Sequence, residues 1–146
     1  MKKMMLFLLS ACMMLSLVAC GGSKIADGTY SAEISDASAE ANHGWKDFLT
    51  ITYKDGEMVD VQFDAKDADG NLKTESTNPE NYPMDPQPSV WMPQLEENIK
   101  ATSNPDKVAA VAGATTGSNH AKELYRAVLE KAKAGDTSVA VIDVEG

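Results

Sequence analysis

Apolar and polar residues alternate through the middle of the chain with the two-residue period of a β-strand. Leu49, Ile51 and Tyr53 alternate with Thr50 and Thr52, and Val59, Val61 and Phe63 alternate with Asp60 and Gln62. Between the two runs stands Asp55-Gly56, a dipeptide suited to a tight turn. The pattern predicts a β-hairpin with one buried face. Asp27 to Ile34 reads as an earlier strand, Asp69-Gly70 as a turn leading to a third strand within Asp64 to Thr74, and Val139 to Val144 as a closing strand. A different period governs the region after residue 120. Ala121, Leu124, Tyr125, Val128, Leu129 and Ala132 fall at i, i+3, i+4, i+7, i+8 and i+11, which is one stripe of an α-helix. Lys131 and Lys133 complement its C-terminal dipole, and Gly135 ends it.

The remaining segments complete the order. Ser35 to Gly44 is small and polar and reads as a loop. Five of the six prolines, at 79, 83, 86, 88 and 93, fall between Asn78 and Pro93 and predict an extended loop without ladder hydrogen bonds. Pro93 suits the first turn of a short helix from Gln94 to Ala101, with Leu95 and Ile99 one turn apart. Val108 to Val111 is a short apolar run, read as a strand. The order is strand, hairpin, third strand, short helix, strand, long helix, strand. It predicts an α+β domain over residues 27–146, a mostly antiparallel twisted sheet with a short and a long helix packed on one face.

The N-terminus has another character. Lys2 and Lys3 precede a mostly apolar run, Met4 to Leu17, which is shorter than the roughly 20 residues a membrane-spanning helix needs. Leu17-Val18-Ala19-Cys20 has the form of a lipobox: a branched apolar residue, two small residues that enter a narrow protease site, and a cysteine whose sulfur takes a diacylglyceryl group. Residues 1–19 therefore read as a lipoprotein signal peptide. Residues 20–26 read as the lipidated Cys20 and a linker, which places the domain at the cell membrane, facing outside the cytoplasm. Cys12 departs with the signal peptide, so the mature chain has one cysteine, a modified one, and no disulfide. Removing residues 1–19 from 146 leaves 127, enough for one domain with an ordinary core. The cut also removes two lysines, leaving 11 basic against 22 acidic side chains and a net charge of −11. Such a surface excludes nucleic-acid binding and a basic membrane-surface helix, and it favours solubility.

Candidate chemistry concentrates in Ala112-Gly113-Ala114-Thr115-Thr116-Gly117-Ser118, a run of small residues entering the long helix. The first turn of a helix leaves backbone N–H groups unpaired and favours negative charge, so this segment could hold a phosphate. Thr115, Thr116 and Ser118 add hydroxyls, and Gly113 and Gly117 could let a bulky group approach the backbone. The plainer alternative is a strand-to-helix loop with a Ser or Thr N-cap.

Val111 to Ser118, with Ala127-Val128-Leu129 on the following helix, resembles the end of the FMN-binding domain family. That family carries a D-x-x-[S/T]-G-A-[T/S] motif before a helix. Asp27-Gly28-Thr29-Tyr30 resembles its opening strand, and the Leu49 to Phe63 hairpin its central hairpin. His43-Gly44-Trp45 through Asp69-Gly70-Asn71 looks closest to its single-domain, membrane-anchored lipoproteins. The resemblance covers roughly Asp27 to Ala134. It implies FMN, joined by a flavin transferase through its phosphate to Thr115, with Gly113, Ala114, Thr116 and Ser118 around it. It further implies an electron-transfer module rather than an enzyme, fed by a membrane redox donor and passing electrons to a quinone or a partner flavoprotein. The sequence departs from the motif where its Asp maps to Ala109 and its first Ser/Thr to Ala112, with Asp106 three residues too early. Covalent FMN, non-covalent FMN, and a surface lipoprotein binding a partner or small ligand without flavin all stay open.

Trp45, Trp91, Tyr30 and Tyr82 could stack on a flavin ring or serve as packing. His120, five residues after Thr115, could contact a phosphate or sit neutral in solvent, and His43 lies in a small-residue loop. Two histidines without local spacing give no metal motif. Asp67-Ala68-Asp69-Gly70-Asn71 imitates part of a calcium loop, but Ala65 and Ser76 would occupy its first and twelfth positions, so turn chemistry explains it better. No spacing of Ser, His and Asp suggests a hydrolase.

Overall fold

The structure is a computed structural model that describes residues 25–145. The signal peptide, the lipobox and Cys20 lie outside the described residues. Four strands, β1 (Gly28–Ile34), β2 (Lys46–Lys54), β3 (Glu57–Lys66) and β4 (Ala140–Ile142), form one sheet in the order β3-β2-β1-β4. The β1–β2 and β2–β3 pairs are antiparallel, and β4 joins β1 in parallel. Among the described residues four α-helices accompany them: α1 (Asp36–Ala41), α2 (Lys73–Ser76), α3 (Pro88–Lys100) and α4 (Thr115–Ala134). The expected α+β class and mostly antiparallel sheet are what forms.

The hairpin turn is the one its sequence predicts. Asp55 and Gly56 both take positive φ, 53° and 81°, as a two-residue turn between right-twisted strands requires. The Asp27 carboxylate accepts the Asp55 N–H at 2.8 Å, tying the turn to the start of β1.

Alternation then builds the core. Tyr30, Ala32 and Ile34 of β1, Leu49, Ile51 and Tyr53 of β2, and Val61, Phe63 and Ala65 of β3 are buried. Against them α3 sets Trp91, Met92, Leu95 and Ile99, and α4 sets Ala121, Leu124, Tyr125, Val128 and Ala132. Each large side chain so buried contributes about 1.5–3 kcal/mol. The other sheet face carries hydroxyl pairs, Thr29 with Thr52 and Ser31 with Thr50, both at 2.9 Å.

Five segments differ from the sequence expectation. Ser35 to Gly44 contains a helix, because the Ser35 side chain accepts the Ser38 N–H at 3.2 Å and caps α1. The third strand does not form. After Lys66 the Asp67 carboxylate accepts the Asp69 and Asn71 N–H groups, each at 2.9 Å, and turns the chain. One bridge, Lys66 with Leu72, is all that remains of that strand, and α2 begins at Lys73. The short helix starts earlier than expected: Pro88 takes its first turn and Pro93 lies inside it. Val108 and Val111 are buried, but their backbone joins no strand. The closing strand is real and shorter, three residues rather than six.

Candidate functional site

The start of α4 is assembled by its own side chains. The Val111 N–H donates to Ser118 Oγ at 3.0 Å, and the Ser118 hydroxyl donates to the Ala114 carbonyl at 2.7 Å. Ser118 is buried and turned inward, so it staples the loop to the helix rather than facing a ligand, a correction to its expected place in the site. The N-cap is Ala114, which has no capping side chain. The Ser118 N–H bonds the Ala114 carbonyl at 2.9 Å, whereas the N–H groups of Thr115, Thr116 and Gly117 find no acceptor among the described residues. The alternative of a Ser or Thr N-cap is therefore not what forms.

The two glycines serve the chain itself. Gly113 has φ +85°, and a Cβ there would lie 2.8 Å from the Asp85 carbonyl oxygen and 2.9 Å from Pro86 Cδ. A Cβ at Gly117 would lie 2.5 Å from two ring atoms of Trp91. Their missing side chains admit the proline-rich loop and an indole ring, and both residues also line the cleft at the start of α4.

Thr115 and Thr116 stay exposed and open on a cleft of about 400 Å³ that Lys73, Tyr82, Trp91 and Asp47 also line. An adjoining depression shares Tyr82, His43 and Met84 and adds Trp45 and Pro83. Trp45 and Tyr82 thus stand where a flat ring could stack. Trp91 is a buried wall packed on Phe63, its indole N–H without an acceptor among the described residues. Tyr30 lies elsewhere, in the core, with its hydroxyl donated to the Ala26 carbonyl at 2.8 Å.

Lys73 is the residue the sequence reading missed. It is 4% exposed. Its Nζ sits 4.7, 5.6 and 5.8 Å from the ring centres of Tyr82, Trp45 and Trp91. Among the described residues no carboxylate reaches ion-pair distance and no acceptor takes its protons. The nearby acids are committed elsewhere: Asp64 to Thr74 and the Ala65 N–H, Asp47 to His120 and Asn42. Nothing in the sequence pattern separates Lys73 from the other basic residues. Its burial comes from three aromatic rings at distant positions.

His120 departs from both sequence expectations. It lies in the second turn of α4, 2% exposed, with Nδ1 at 2.7 Å from Asp47 Oδ2 and Nε2 at 2.9 Å from the Glu145 carbonyl. A carboxylate and a carbonyl oxygen can only accept, so both ring nitrogens carry protons and the ring is an imidazolium. Burial pulls its pKa down, but the Asp47 hydrogen bond and the Glu145 carbonyl raise it more, and the net shift is upward. Its role is to tie α4 to β2 and to the end of the chain.

Asp106, the acid closest to the motif position, pairs with Arg126 on α4. Ala109 and Ala112 are exposed, and the Ala109 carbonyl accepts from Asn98 at 2.9 Å. Among the described residues no group of acids, histidines or cysteines could hold a metal, and Asp67 spends its oxygens on its own turn.

These features define a small α+β domain whose longest helix opens uncapped onto an aromatic-walled cleft containing an unpaired cation. Comparison with known proteins gives it a family. Over 133 residues the chain is 31% identical to the 15 kDa lipoprotein of Treponema pallidum (strain Nichols), covering 89% of this chain and 92% of that one. The chain belongs to that lipoprotein's family. The crystal structure of the CPE2226 protein from Clostridium perfringens superposes with a TM-score of 0.73 at 27% identity, over 83% of this chain and 99% of that one. No family model matches the chain. Among the described residues no helix is long and apolar enough to cross a membrane.

Proposed function

We propose that this lipoprotein is held at the outer side of a membrane by lipid on Cys20 and carries FMN in the cleft at the start of α4, as an electron-transfer module. The lipid anchor is supported by the lipobox and by the named relative. That similarity covers 89% of the 146 residues, about 130, and any continuous stretch of that length includes Leu17 to Cys20. Two or three acyl chains make such attachment stable, since each buried methylene contributes about 0.8 kcal/mol.

The flavin reading is carried by one observation: the uncapped first turn of α4 shares a cleft with a buried, unpaired lysine and aromatic walls. Three free N–H groups and the helix dipole suit a phosphate at Thr115. Trp45 and Tyr82 suit the flat ring. About 400 Å³, continuous with the neighbouring depression, is within the usual range for a cofactor site. The FMN would supply the redox chemistry, and the protein would hold it and set its environment. Attachment by a flavin transferase needs an activated flavin nucleotide. The Thr115 oxygen forms the new P–O bond, the donor's P–O bond breaks with loss of its nucleotide, and the hydroxyl proton passes to a base. A membrane redox donor and a quinone or flavoprotein acceptor complete the scheme.

A second reading rests on Ala109, Ala112 and the engagement of Asp106 by Arg126, which leave the covalent motif incomplete. In it, the cleft binds FMN without a covalent bond, or another small ligand or partner without flavin. Expression of the mature chain with and without a flavin transferase separates these readings. The account expects yellow protein whose fluorescence stays with the band on a denaturing gel and is lost in Thr115→Val. Colour that washes out on denaturation supports non-covalent binding, and colourless protein in both hosts removes the flavin.

A further inference from the structure

The cleft contains two positive poles of different kinds. One is the start of α4, whose unpaired N–H groups belong to Thr115, Thr116 and Gly117, three residues that line the cleft. The other is Lys73, surrounded by Tyr82, Trp45 and Trp91. Aromatic faces attract an ammonium, but they leave its three protons without hydrogen-bond acceptors. The ammonium meets the cleft but has no anion beside it, and holding a long cationic side chain there is not something stability calls for. Its counter-charge is therefore one that arrives with the ligand.

Resting on the flavin reading above, we propose that Lys73 is a positioning residue for the flavin ring: it sits against the edge that becomes negative on reduction and favours the reduced form. The two poles divide the work. A phosphate esterified at Thr115 keeps one negative charge, which the first turn of α4 meets. The ring takes two electrons and one proton and so acquires one negative charge, with the electrons coming from a membrane-bound reductant. Lys73 stands among the very rings that would stack on a flavin, so its charge falls to the ring and not to the phosphate.

The test uses the mature chain flavinylated at Thr115, as wild type, Lys73→Met and Lys73→Arg. Three quantities are measured: flavin loading by intact mass, the midpoint potential in a dithionite titration against a reference dye, and the melting temperature of each flavin-free protein. Lys73→Met is read on its flavinylated fraction, whatever its loading. Its preference for the reduced ring should fall at least tenfold, a drop of about 30 mV for a two-electron couple, and Lys73→Arg should restore most of it. Flavin-free Lys73→Met should melt no lower than wild type, because it discards an uncompensated charge. An unchanged midpoint in loaded Lys73→Met overturns this inference alone. So does a flavin-free Lys73→Met that melts well below wild type, which would make the ammonium structural. A wild-type chain that takes no flavin overturns the flavin reading and this inference with it.

Discussion

Two buried cations stand near the start of α4, and the fold treats them in opposite ways. His120 has an acceptor on each ring nitrogen, Asp47 on one side and the Glu145 carbonyl on the other. Lys73 is also a buried residue, and among the described residues its ammonium has none. The two ends of α4 repeat the contrast. At the C-terminus Gly135 adopts φ +66°, its N–H and that of Asp136 return to the Ala132 and Lys131 carbonyls, and Lys131 pairs with Asp136. At the N-terminus an alanine leaves three N–H groups open. The ion pair and the C-terminal cap are satisfied within the fold. The Lys73 ammonium and the open N–H groups of α4 share one cleft, where a ligand can satisfy them.

The sharpest way to break this comparison is Asp47→Ala. Removing one partner of a buried ion pair costs about 3–5 kcal/mol, so the variant should show a large loss in urea or thermal unfolding. Lys73→Met should show no comparable loss. Equal losses in both would erase the distinction between the two cations.

A smaller effect comes from Gly117→Ala, which forces a methyl group against Trp91. Overpacking of this kind costs about 1–3 kcal/mol, and Trp91 fluorescence should shift as the ring moves. An unchanged spectrum and stability would mean that the ring has room to withdraw.

Smaller still, Ala114→Ser supplies the absent N-cap. It should stabilise the flavin-free protein by about 0.5–2 kcal/mol while weakening binding of inorganic phosphate or FMN, because the hydroxyl competes for the same N–H groups. Greater stability with undiminished binding would show that the ligand does not use them.

The pH dependence separates the cations as well. The His120 pKa is raised above its ordinary 6.5. Its contribution to stability is thus complete below the unfolded value and is lost as pH rises through the higher folded value. Melting temperature should decline over that interval, and Asp47→Asn should flatten the decline.

Much of this fold was legible from sequence because single-period segments have one buried face. The hairpin and α4 are such segments, and both form where the pattern places them. The third strand was misread because a side chain, the Asp67 carboxylate, turns the chain before a ladder can form. The short α1 was missed because Ser, Ala and Asp make no apolar stripe, and its signal was the Ser35 cap. At the candidate site the sequence located Thr115 and Thr116 at a helix start. It could not tell that Ser118 points inward, or that Gly113 and Gly117 make room for Pro86 and Trp91. Lys73 was beyond reach, since residues 45, 82 and 91 meet around it only after folding.

The intact mass of the protein extracted from its native membrane addresses the central claim most directly. The account predicts a lipidated chain beginning at Cys20 with one further FMN, traced by peptide fragmentation to Thr115. Native protein with the lipid but no flavin, either in the mass or released on denaturation, would contradict it.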